Sequence, residues 1–346
     1  MGSPRENIII DFIMSNGNLS SKEIFDRLNL DLSYATLKRI LTQLIRDNKL
    51  ETTGKGKGTK YRISTAYGLI RTIDLNRYYE KEIDERAIQE RFNLSVITET
   101  LTHCSVFTNA ELETLDVLQR KYLSNIERLS ENEYKKELDR LAIDLSWKSS
   151  QIEGNTYSLL ETEKLLKEKE TASGKTKEEA VMLLNHKEAL DFIIEHTDYL
   201  DHLSVSKIED IHSLLTNDLG IERNLRTYRV GISGTNYRPL DNQFQIKEAL
   251  EKTCELINTK NNTFEKALLT LVLISYIQPF TDGNKRTARI VSNAILMHNK
   301  HCPLSFRTVD SIDYKKAMLV FYEQNNISAI KDIFMTQFEF AVNTYF

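Results

Sequence analysis

The sequence predicts a mainly α-helical protein, and three observations support that fold class. Only 4 prolines and 12 glycines occur in 346 residues, and 28% of the residues are charged. Apolar side chains recur at the three- and four-residue intervals of a helix face in several segments. Such a composition favours long amphipathic helices over a β-sandwich or barrel. A chain of this length can bury a large core and can form two domains.

Neither the cysteines nor the apolar segments indicate disulfides or membrane insertion. Cys104, Cys254 and Cys302 are odd in number and far apart, so they suggest no disulfide framework and no CxxC metal site. No segment reaches the ~20 uninterrupted apolar residues of a membrane helix, and charged residues interrupt the N-terminal apolar stretch. We therefore expect a cytoplasmic protein with no signal peptide and no membrane partner.

Three short helices are predicted before residue 47. Residues 7–13 have helical apolar spacing and are followed by the turn signal Asn16-Gly17-Asn18. Ser20 or Ser21 can cap a second helix, and Ser33 can cap a third. The apolar stripe of the third helix comprises Leu37, Ile40, Leu41, Leu44 and Ile45. These elements predict a small helical module at the N-terminus.

The third helix also has a basic face, which carries Lys38 and Arg39. A helix-turn-helix uses such a face to contact base edges and phosphates while the other face packs on the domain. Residues 50–63 then predict a strand, a glycine-rich tip with Lys55 and Lys57, and a second strand. Glycines allow close approach to a phosphate backbone, and lysines gain affinity by counterion release.

Residues 1–64 as a whole resemble a winged-helix DNA-binding domain. Residues 33–64 hold eight Lys or Arg against two acidic residues, whereas the whole chain has a net charge of −4. DNA is therefore an expected partner through residues 33–62. The alternatives left open are a solvated basic surface and a module that contacts proteins. Residues 65–140 are interpreted as helical connection and support, with charged helical segments at 78–92 and 111–123.

The most specific segment is the dodecapeptide QPFTDGNKRTAR at residues 278–289, between the apolar stretches 267–277 and 290–297. Pro279 ends the first predicted helix, and Gly283 permits a left-handed backbone. The free amides that begin the second helix form a ready site for an anion. The pattern therefore predicts a helix, a tight polar loop and a second helix.

The side chains of this loop suit a nucleotide polyphosphate. Lys285, Arg286 and Arg289 would add cations to the helix N-terminus. Asp282 could hold Mg²⁺. Phe280 is the one side chain of the loop that we expect to point inward and to anchor the loop in the core.

The segment resembles the Fic motif, His-Pro-Phe-x-Asp/Glu-Gly-Asn-Gly/Lys-Arg-x-x-Arg, at every specified position except the first, which is Gln278. The resemblance implies a helical Fic fold and an adenylyltransferase, which transfers AMP from ATP to a protein hydroxyl. In the family the histidine accepts the proton of that hydroxyl. A glutamine amide has no useful basicity near neutral pH, so we expect a loss of about 10²–10⁴ in rate while nucleotide binding persists.

The resemblance assigns the nucleotide contacts to Asp282, Gly283, Asn284, Lys285, Arg286 and Arg289. Asp282 would hold the metal, and Asn284 and Arg286 would bind phosphates. Arg289 would bind the γ-phosphate. Gly283 favours the AMP-transferring type over Doc-like loops, whereas Lys285 leaves the orientation of the nucleotide open. The implied ligands are ATP and Mg²⁺.

An upstream segment resembles the inhibitory motif of the family, Ser/Thr-x-x-x-Glu-Gly/Asn. It runs from Ser149 through Glu153 to Gly154, in a helix expected at about 144–154. By resemblance, Glu153 would pair with Arg289 and withhold that guanidinium from the γ-phosphate. Two alternatives stay open, namely an ordinary helix C-terminus and a Glu153 that activates water to remove AMP from a target.

Residues 226–239 resemble the flap of the family, so the Fic domain with these motifs is placed at 141–346. The predicted β-hairpin of the flap comprises Val230, Ile232, Gly234 and Thr235. In the family the flap pairs with a target segment as an added strand. His186 and His212 lie among apolar helical residues, which indicates structural histidines with satisfied ring nitrogens.

Three functional hypotheses remain. The first is an adenylyltransferase impaired by Gln278 and inhibited by Glu153, whose protein target is unknown and could be the protein itself. The second is a non-catalytic, nucleotide-responsive DNA-binding regulator. The third is an interaction protein without a ligand, against which the intact set from Asp282 to Arg289 argues. The assembly is open, with a homodimer among the alternatives.

Overall fold

A computed structural model describes residues 4–28 and 31–346, apart from the side chain of Lys57. The backbone divides into two compact units, Met1–Thr72 and Ile73–Phe346. Helices dominate both units, which confirms the mainly α prediction. None of the described helices has both the length and the apolar character that crossing a bilayer requires.

The first unit combines helices with a three-stranded antiparallel sheet. Its elements are α1 (Pro4–Asn16), β1 (Leu19–Ser20), α2 (Ser21–Leu28), α3 (Tyr34–Arg46), β2 (Leu50–Thr53), β3 (Lys60–Ile63) and α4 (Thr65–Ile70). The strand order is β1-β3-β2, with Leu19 opposite Tyr61 and Leu50 opposite Ile63. The sequence predicted β2 and β3, but the two-residue β1 is too short to carry a pattern.

The predicted caps of the first unit are present. Ser20 and Glu23 exchange backbone-to-side-chain hydrogen bonds at the start of α2. The hydroxyl of Ser33 accepts from the Thr36 amide at 3.1 Å and caps α3. Helix α3 buries Leu37, Leu41 and Leu44, as expected from its stripe. Ile40 and Ile45, at the margins of that stripe, are only partly buried.

The regular elements of the second unit, among the described residues, are all helical. Its helices are α5 (Leu75–Tyr78), α6 (Leu101–His103), α7 (Asn109–Ile126), α8 (Glu131–Ile152), α9 (Leu159–Glu168), α10 (Lys177–Glu195), α11 (Val205–Thr216), α12 (Gln243–Thr259), α13 (Thr263–Ile277), α14 (Asn284–His298), α15 (Ser311–Gln324) and α16 (Ser328–Thr344). The segment 111–123 lies in α7, as predicted. Helices α13 and α14 pack against each other at the centre, and α13 is buried on nearly all sides. A helix that is apolar all round belongs in a core, so the loop between α13 and α14 has a rigid base.

The prediction of a helix at 78–92 is wrong. Only α5 and a 3₁₀ turn at Ile83–Glu85 are helical there. The polar groups of this segment bond to a distant helix instead. The Gln89 amide donates to the Glu323 carbonyl at 2.7 Å, and Arg86 and Tyr78 both contact the Glu323 carboxylate. These tertiary contacts override the local helical preference.

Candidate nucleotide-binding site

The loop between α13 and α14 is built from two left-handed backbone positions. Gln278 ends α13 with φ 52° and ψ 60°, and Gly283 begins α14 with φ 80°. A Cβ on Gly283 would lie 3.2 Å from Thr216 and 3.3 Å from His212. Glycine therefore serves both the backbone angle and the close packing at this position. The predicted order of helix, tight loop and helix is confirmed.

Phe280 and Asn284 hold the loop in shape. Phe280 is fully buried and stacks on His212, with ring centroids 3.7 Å apart. The Phe280 amide donates to Asn284 Oδ1 at 2.8 Å, and Asn284 Nδ2 donates to the Phe280 carbonyl at 2.8 Å. The inward anchor expected of Phe280 is confirmed. The side chain of Asn284 bonds within the loop, so it is placed to support the loop rather than to offer a free donor to a ligand.

Gln278 is held by the same loop. Its Nε2 donates to the Ser275 carbonyl at 2.6 Å, and its Oε1 accepts from Asn284 Nδ2 at 3.1 Å. The residue is 9% exposed. The backbone carbonyl of Gln278 accepts from Arg226 Nε at 2.6 Å. The amide is therefore anchored by hydrogen bonds, and it carries no group that could take up a proton near neutral pH.

Arg286, which lies beside Gln278 in this site, has donors that are not satisfied. It is 1% exposed and its Nη2 donates to Asp282 Oδ2 at 3.1 Å. Its Nε and Nη1 have no hydrogen-bond partner among the described residues. Burial lowers the pKa of Arg286, with Asp282 and Glu153 acting in the opposite direction. A buried guanidinium with open donors favours an incoming anion. Asp282 itself is 62% exposed, so its carboxylate is accessible.

Arg289 lies one turn further along α14 and contacts the end of α8. It is 0% exposed, and its Nη2 lies 2.9 Å from Glu153 Oε1. Nε donates to the Ser149 hydroxyl at 2.8 Å, and Nη2 also donates to the Ser149 carbonyl at 3.0 Å. Gly154, just beyond the helix end, has φ +103°. The structure thus places Ser149 and Glu153 in contact with Arg289, and the family resemblance had implied the pair of Glu153 with Arg289.

Glu153 has a second cationic partner, which the sequence analysis missed. Lys285 Nζ lies 3.2 Å from Glu153 Oε2. Burial alone would raise the pKa of the Glu153 carboxyl, but Arg289 and Lys285 outweigh that effect and hold it at about 2. Lys285 and Arg289 are four residues apart on α14 and so lie on one helix face. This four-residue spacing is the feature of the sequence from which the contact between Lys285 and Glu153 could have been predicted.

The loop between α13 and α14 and the end of α8 line a cavity of about 300 Å³. Its walls comprise Glu153, Val230, Gly231, Ile232, Ser233, Gln278, Thr281, Asp282, Gly283, Asn284, Lys285, Arg286, Lys315, Met318, Leu319 and Tyr322. Charged and polar groups of the loop form one side, and apolar side chains from α15 and from residues 230–232 form another. The predicted nucleotide-binding residues therefore line one cavity, with the exception of Arg289. The guanidinium of Arg289 contacts the wall residue Glu153 instead.

Residues 202–296 match the sequence model described as the Fic/DOC family. This part of the chain is a Fic/DOC family domain. The chain is 31% identical over 179 residues to the protein adenylyltransferase Fic of Nematostella vectensis, covering 48% of this chain and 40% of that protein. It is 27% identical over 181 residues to the protein adenylyltransferase fic-1 of Caenorhabditis elegans, covering 49% and 34%. The chain thus spans less than half the length of either relative.

Solved structures show the same fold at low identity. Residues 134–508 of Fic-1 from C. elegans superpose with a TM-score of 0.57 at 19% identity, covering 68% of this chain and 71% of that one. A Fic family protein from Desulfovibrio desulfuricans superposes with a TM-score of 0.58 at 18% identity, covering 69% and 74%. The helical Fic fold predicted from the loop motif is therefore confirmed.

Residues 226–239 do not form the predicted β-hairpin. Among the described residues the only strands are β1 to β3, and residues 226–239 contribute one isolated bridge, Arg238 with Arg91. The guanidinium of Arg226 donates to the carbonyls of Tyr228 and Leu240 at 2.7 and 2.5 Å. Hydrogen bonds from this buried arginine thus hold the chain on either side of the predicted hairpin. Arg226 is a structural residue of the site that the sequence analysis did not single out.

Only part of the predicted flap set reaches the cavity. Val230 and Ile232 belong to its walls, whereas Gly234 and Thr235 do not. Gly234 adopts φ +87° in a turn, and Thr235 Oγ1 accepts from the Tyr237 amide at 3.0 Å. The turn is present although the strands are absent.

Two histidines of the second unit, His186 and His212, are buried near the loop. Burial lowers the pKa of His212 to about 4, although a contact to Asp282 acts in the opposite direction. His212 Nε2 lies 3.0 Å from the Asp282 carbonyl, so the neutral ring donates from Nε2. Burial also lowers the pKa of His186, whose ring nitrogens have no hydrogen-bond partner among the described residues. The prediction of a satisfied ring is therefore wrong for His186.

The basic residues of the first unit are solvent-accessible. Lys38 and Arg39 are exposed on α3, and Lys38 Nζ lies 5.7 Å from the centre of the Tyr34 ring. Lys55 is exposed before the 3₁₀ turn Gly56–Gly58. The side chain of Lys57 lies outside the described residues. DNA binding by this set stays a prediction.

Proposed function

We propose that the chain is a protein adenylyltransferase scaffold that binds ATP with Mg²⁺ in the loop cavity and is impaired in AMP transfer because Gln278 replaces a histidine. One observation carries the proposal. The buried Arg286 guanidinium belongs to a residue that lines the cavity together with the N-terminus of α14, and two of its donors have no hydrogen-bond partner among the described residues. Donors and a helix N-terminus together form a phosphate site. The named relatives, both protein adenylyltransferases, support the reaction class.

The cavity suits a complete nucleotide. Met318 and Leu319 of α15, with Val230 and Ile232 opposite, offer apolar contacts for a base. Ligand sites of this kind combine apolar walls with a few placed polar groups. Its volume of about 300 Å³ is at the lower end of small-molecule sites.

A divalent cation fits the exposed carboxylate of Asp282. No group of three or more His, Cys, Asp or Glu side chains that could hold a metal occurs within residues 4–28 and 31–346. Mg²⁺ typically uses one or two carboxylates together with phosphate oxygens and water. Asp282 would therefore hold the ion jointly with the nucleotide, and the ion would neutralise phosphate charge.

In the proposed reaction, the hydroxyl oxygen of the target forms a bond to the α-phosphorus of ATP. The bond from that phosphorus to the oxygen bridging to the β-phosphate breaks, and pyrophosphate leaves. The hydroxyl proton must pass to a base. The Gln278 amide cannot accept it, whereas a histidine at this position could. Positioning by Arg286 and the helix N-terminus is independent of that step.

Glu153 is proposed to inhibit the site. Its carboxylate forms ion pairs with Arg289 and Lys285, two cations that would otherwise be free to bind the phosphates of a nucleoside triphosphate. The pKa of about 2 keeps Glu153 charged throughout the physiological range. Inhibition therefore does not depend on pH near neutrality.

Calorimetric titration with ATP and Mg²⁺ tests the binding half of the proposal. The chain should bind ATP, Glu153→Gly should bind it about tenfold tighter, and Arg286→Ala should bind it at least tenfold more weakly, because a charge-assisted contact of about 1.5–3 kcal/mol is removed. Arg223→Ala, which removes an exposed arginine paired with Asp210, is the matched control. Absence of ATP binding even in Glu153→Gly would refute the proposal.

A nucleotide-responsive DNA-binding regulator is the second candidate. The exposed Lys38 and Arg39 on α3, whose opposite face is buried, favour it. Fluorescence anisotropy with random-sequence duplex DNA at several salt concentrations would measure binding. Lys38→Ala with Arg39→Ala should weaken it and reduce the salt slope by about two. DNA affinity that is the same with and without ATP would exclude the coupling.

A further inference from the structure

A basic cleft lies beside the nucleotide cavity. Its volume is about 400 Å³, and Val230 belongs to the walls of both. Arg91, Arg229 and Arg238 contribute cations to the cleft, against the one carboxylate of Asp241. Arg229 Nε lies 2.7 Å from Asp241 Oδ2, so the charges of these two side chains cancel each other. The excess positive charge of the cleft therefore comes from Arg91 and Arg238.

These two arginines are paired without a counter-charge. Their backbones form an isolated parallel bridge, which directs both side chains to the same side. Both residues are exposed, and no carboxylate of the described chain forms an ion pair with either. Like charges at paired positions destabilise a fold, because they repel each other. A bound anionic group would relieve that repulsion.

The surroundings of the cleft resemble a protein-binding surface. Tyr228 and Phe244, which adjoin the wall residues Arg229 and Gln245 in sequence, are 49% and 81% exposed. Arginine and aromatic side chains are enriched where proteins bind one another. The chain outside residues 33–64 is acidic overall, which disfavours a long nucleic-acid backbone on this unit.

We propose that the cleft binds an acidic segment of the target protein, next to the hydroxyl that receives AMP. The proposal rests on the proposed transferase function, and it specifies the class of substrate. Val230 lines both spaces, so a polypeptide whose hydroxyl enters the cavity can extend past this residue into the cleft. At roughly 3.3–3.6 Å per extended residue, carboxylates a few positions from the hydroxyl are the ones that this cleft would bind.

Peptide binding to the full chain tests this proposal without any transfer step. The probes are three fluorescein-labelled peptides with a central serine and flanks of glutamate, glutamine or lysine, titrated at 50 and 300 mM NaCl. The glutamate peptide should bind about tenfold tighter than the lysine peptide at low salt and lose that advantage at high salt. The double variant Arg91→Glu, Arg238→Glu should invert the order.

The control is the double variant Arg120→Glu, Arg128→Glu, which reverses two exposed charges of the same unit and should preserve the order. Thermal unfolding of each variant verifies folding. Equal affinity for the three peptides, or an unchanged order in the Arg91 and Arg238 variant, would overturn the proposal. So would binding of a single-stranded oligonucleotide at these arginines without peptide binding. ATP binding is measured separately, so failure here leaves the proposed transferase function standing.

Discussion

Glu153 Oε1 lies 2.9 Å from Nη2 of Arg289, while Oε2 of the same carboxylate lies 3.2 Å from Nζ of Lys285. One acidic group at the end of α8 therefore engages two cations on one face of α14. Arg289 is buried, whereas Lys285 is partly accessible. The carboxylate consequently links α8 to α14 beside the cavity. It also pairs with two cations that would suit phosphate groups.

We expect Glu153 and Lys285 to be coupled in ATP binding. Lys285→Ala alone should change affinity little, because it removes both a restraint on Glu153 and a cation for phosphate. In the Glu153→Gly background the same change should weaken binding about tenfold, since only the second role remains. A double-mutant cycle by calorimetry measures this, with a coupling of about 1 kcal/mol or more expected. Additive effects of the two substitutions would contradict the shared contact.

His212 should make stability depend on pH in a defined window. Its pKa is about 4 in the folded protein, below the ordinary 6.5. The unfolded chain therefore binds the proton more readily, and stability from the neutral ring is complete above pH 6.5 and lost as pH falls to 4. The full effect is about 3 kcal/mol. Urea unfolding from pH 4 to 7 should show a flatter profile for His212→Gln than for the unchanged chain.

The exposed His103 supplies the control for that experiment. His103→Gln should keep the pH profile of the unchanged chain, because it replaces an exposed side chain. A His212→Gln profile as steep as that of the control would show that another group causes the acid sensitivity.

Phe280→Ala should destabilise the second unit by about 3–5 kcal/mol, because it empties a fully buried site and removes the stack on His212. Phe280→Leu should cost less, since it fills more of the site. Phe244→Ala, at an 81% exposed phenylalanine, should change stability by less than about 0.5 kcal/mol. Thermal and urea unfolding compare the three. Similar losses for Phe280→Ala and Phe244→Ala would contradict the anchoring role of Phe280.

The features predicted correctly from the sequence are those set by local chemistry. Pro279 and Gly283 define the loop because a proline and a left-handed glycine restrict the backbone wherever they occur. Ser33 caps α3 for the same kind of reason. The contact between Glu153 and Arg289 was reached through the family resemblance, since 136 residues separate them in sequence.

The features that were missed depend on distant partners. The carbonyls of Tyr228 and Leu240 bond to the buried Arg226, and residues 78–92 bond to α15, and neither set of contacts leaves a trace in the local pattern. The second cation on Glu153 and the paired Arg91 and Arg238 likewise arise from tertiary placement. Periodicity reports which face of an element is buried, but it does not report which segment covers that face.

Gln278 also has a backbone conformation that bears on its replacement. At φ 52° it lies in the left-handed region, where histidine and asparagine are several-fold enriched. Gln278→His should therefore fold without added strain. Gln278→Asn is the matched control, because asparagine also suits this conformation and has no basic group.

The decisive measurement is AMP incorporation from α-labelled ATP into the protein itself and into a cell lysate, with Glu153→Gly in every protein. Gln278→His should incorporate AMP about 10²–10⁴ times faster than the chain with glutamine or asparagine at position 278. Equal incorporation by all three would show that residue 278 does not limit transfer. Absence of incorporation in all three, although ATP with Mg²⁺ binds, would contradict the adenylyltransferase proposal and favour the nucleotide-responsive regulator.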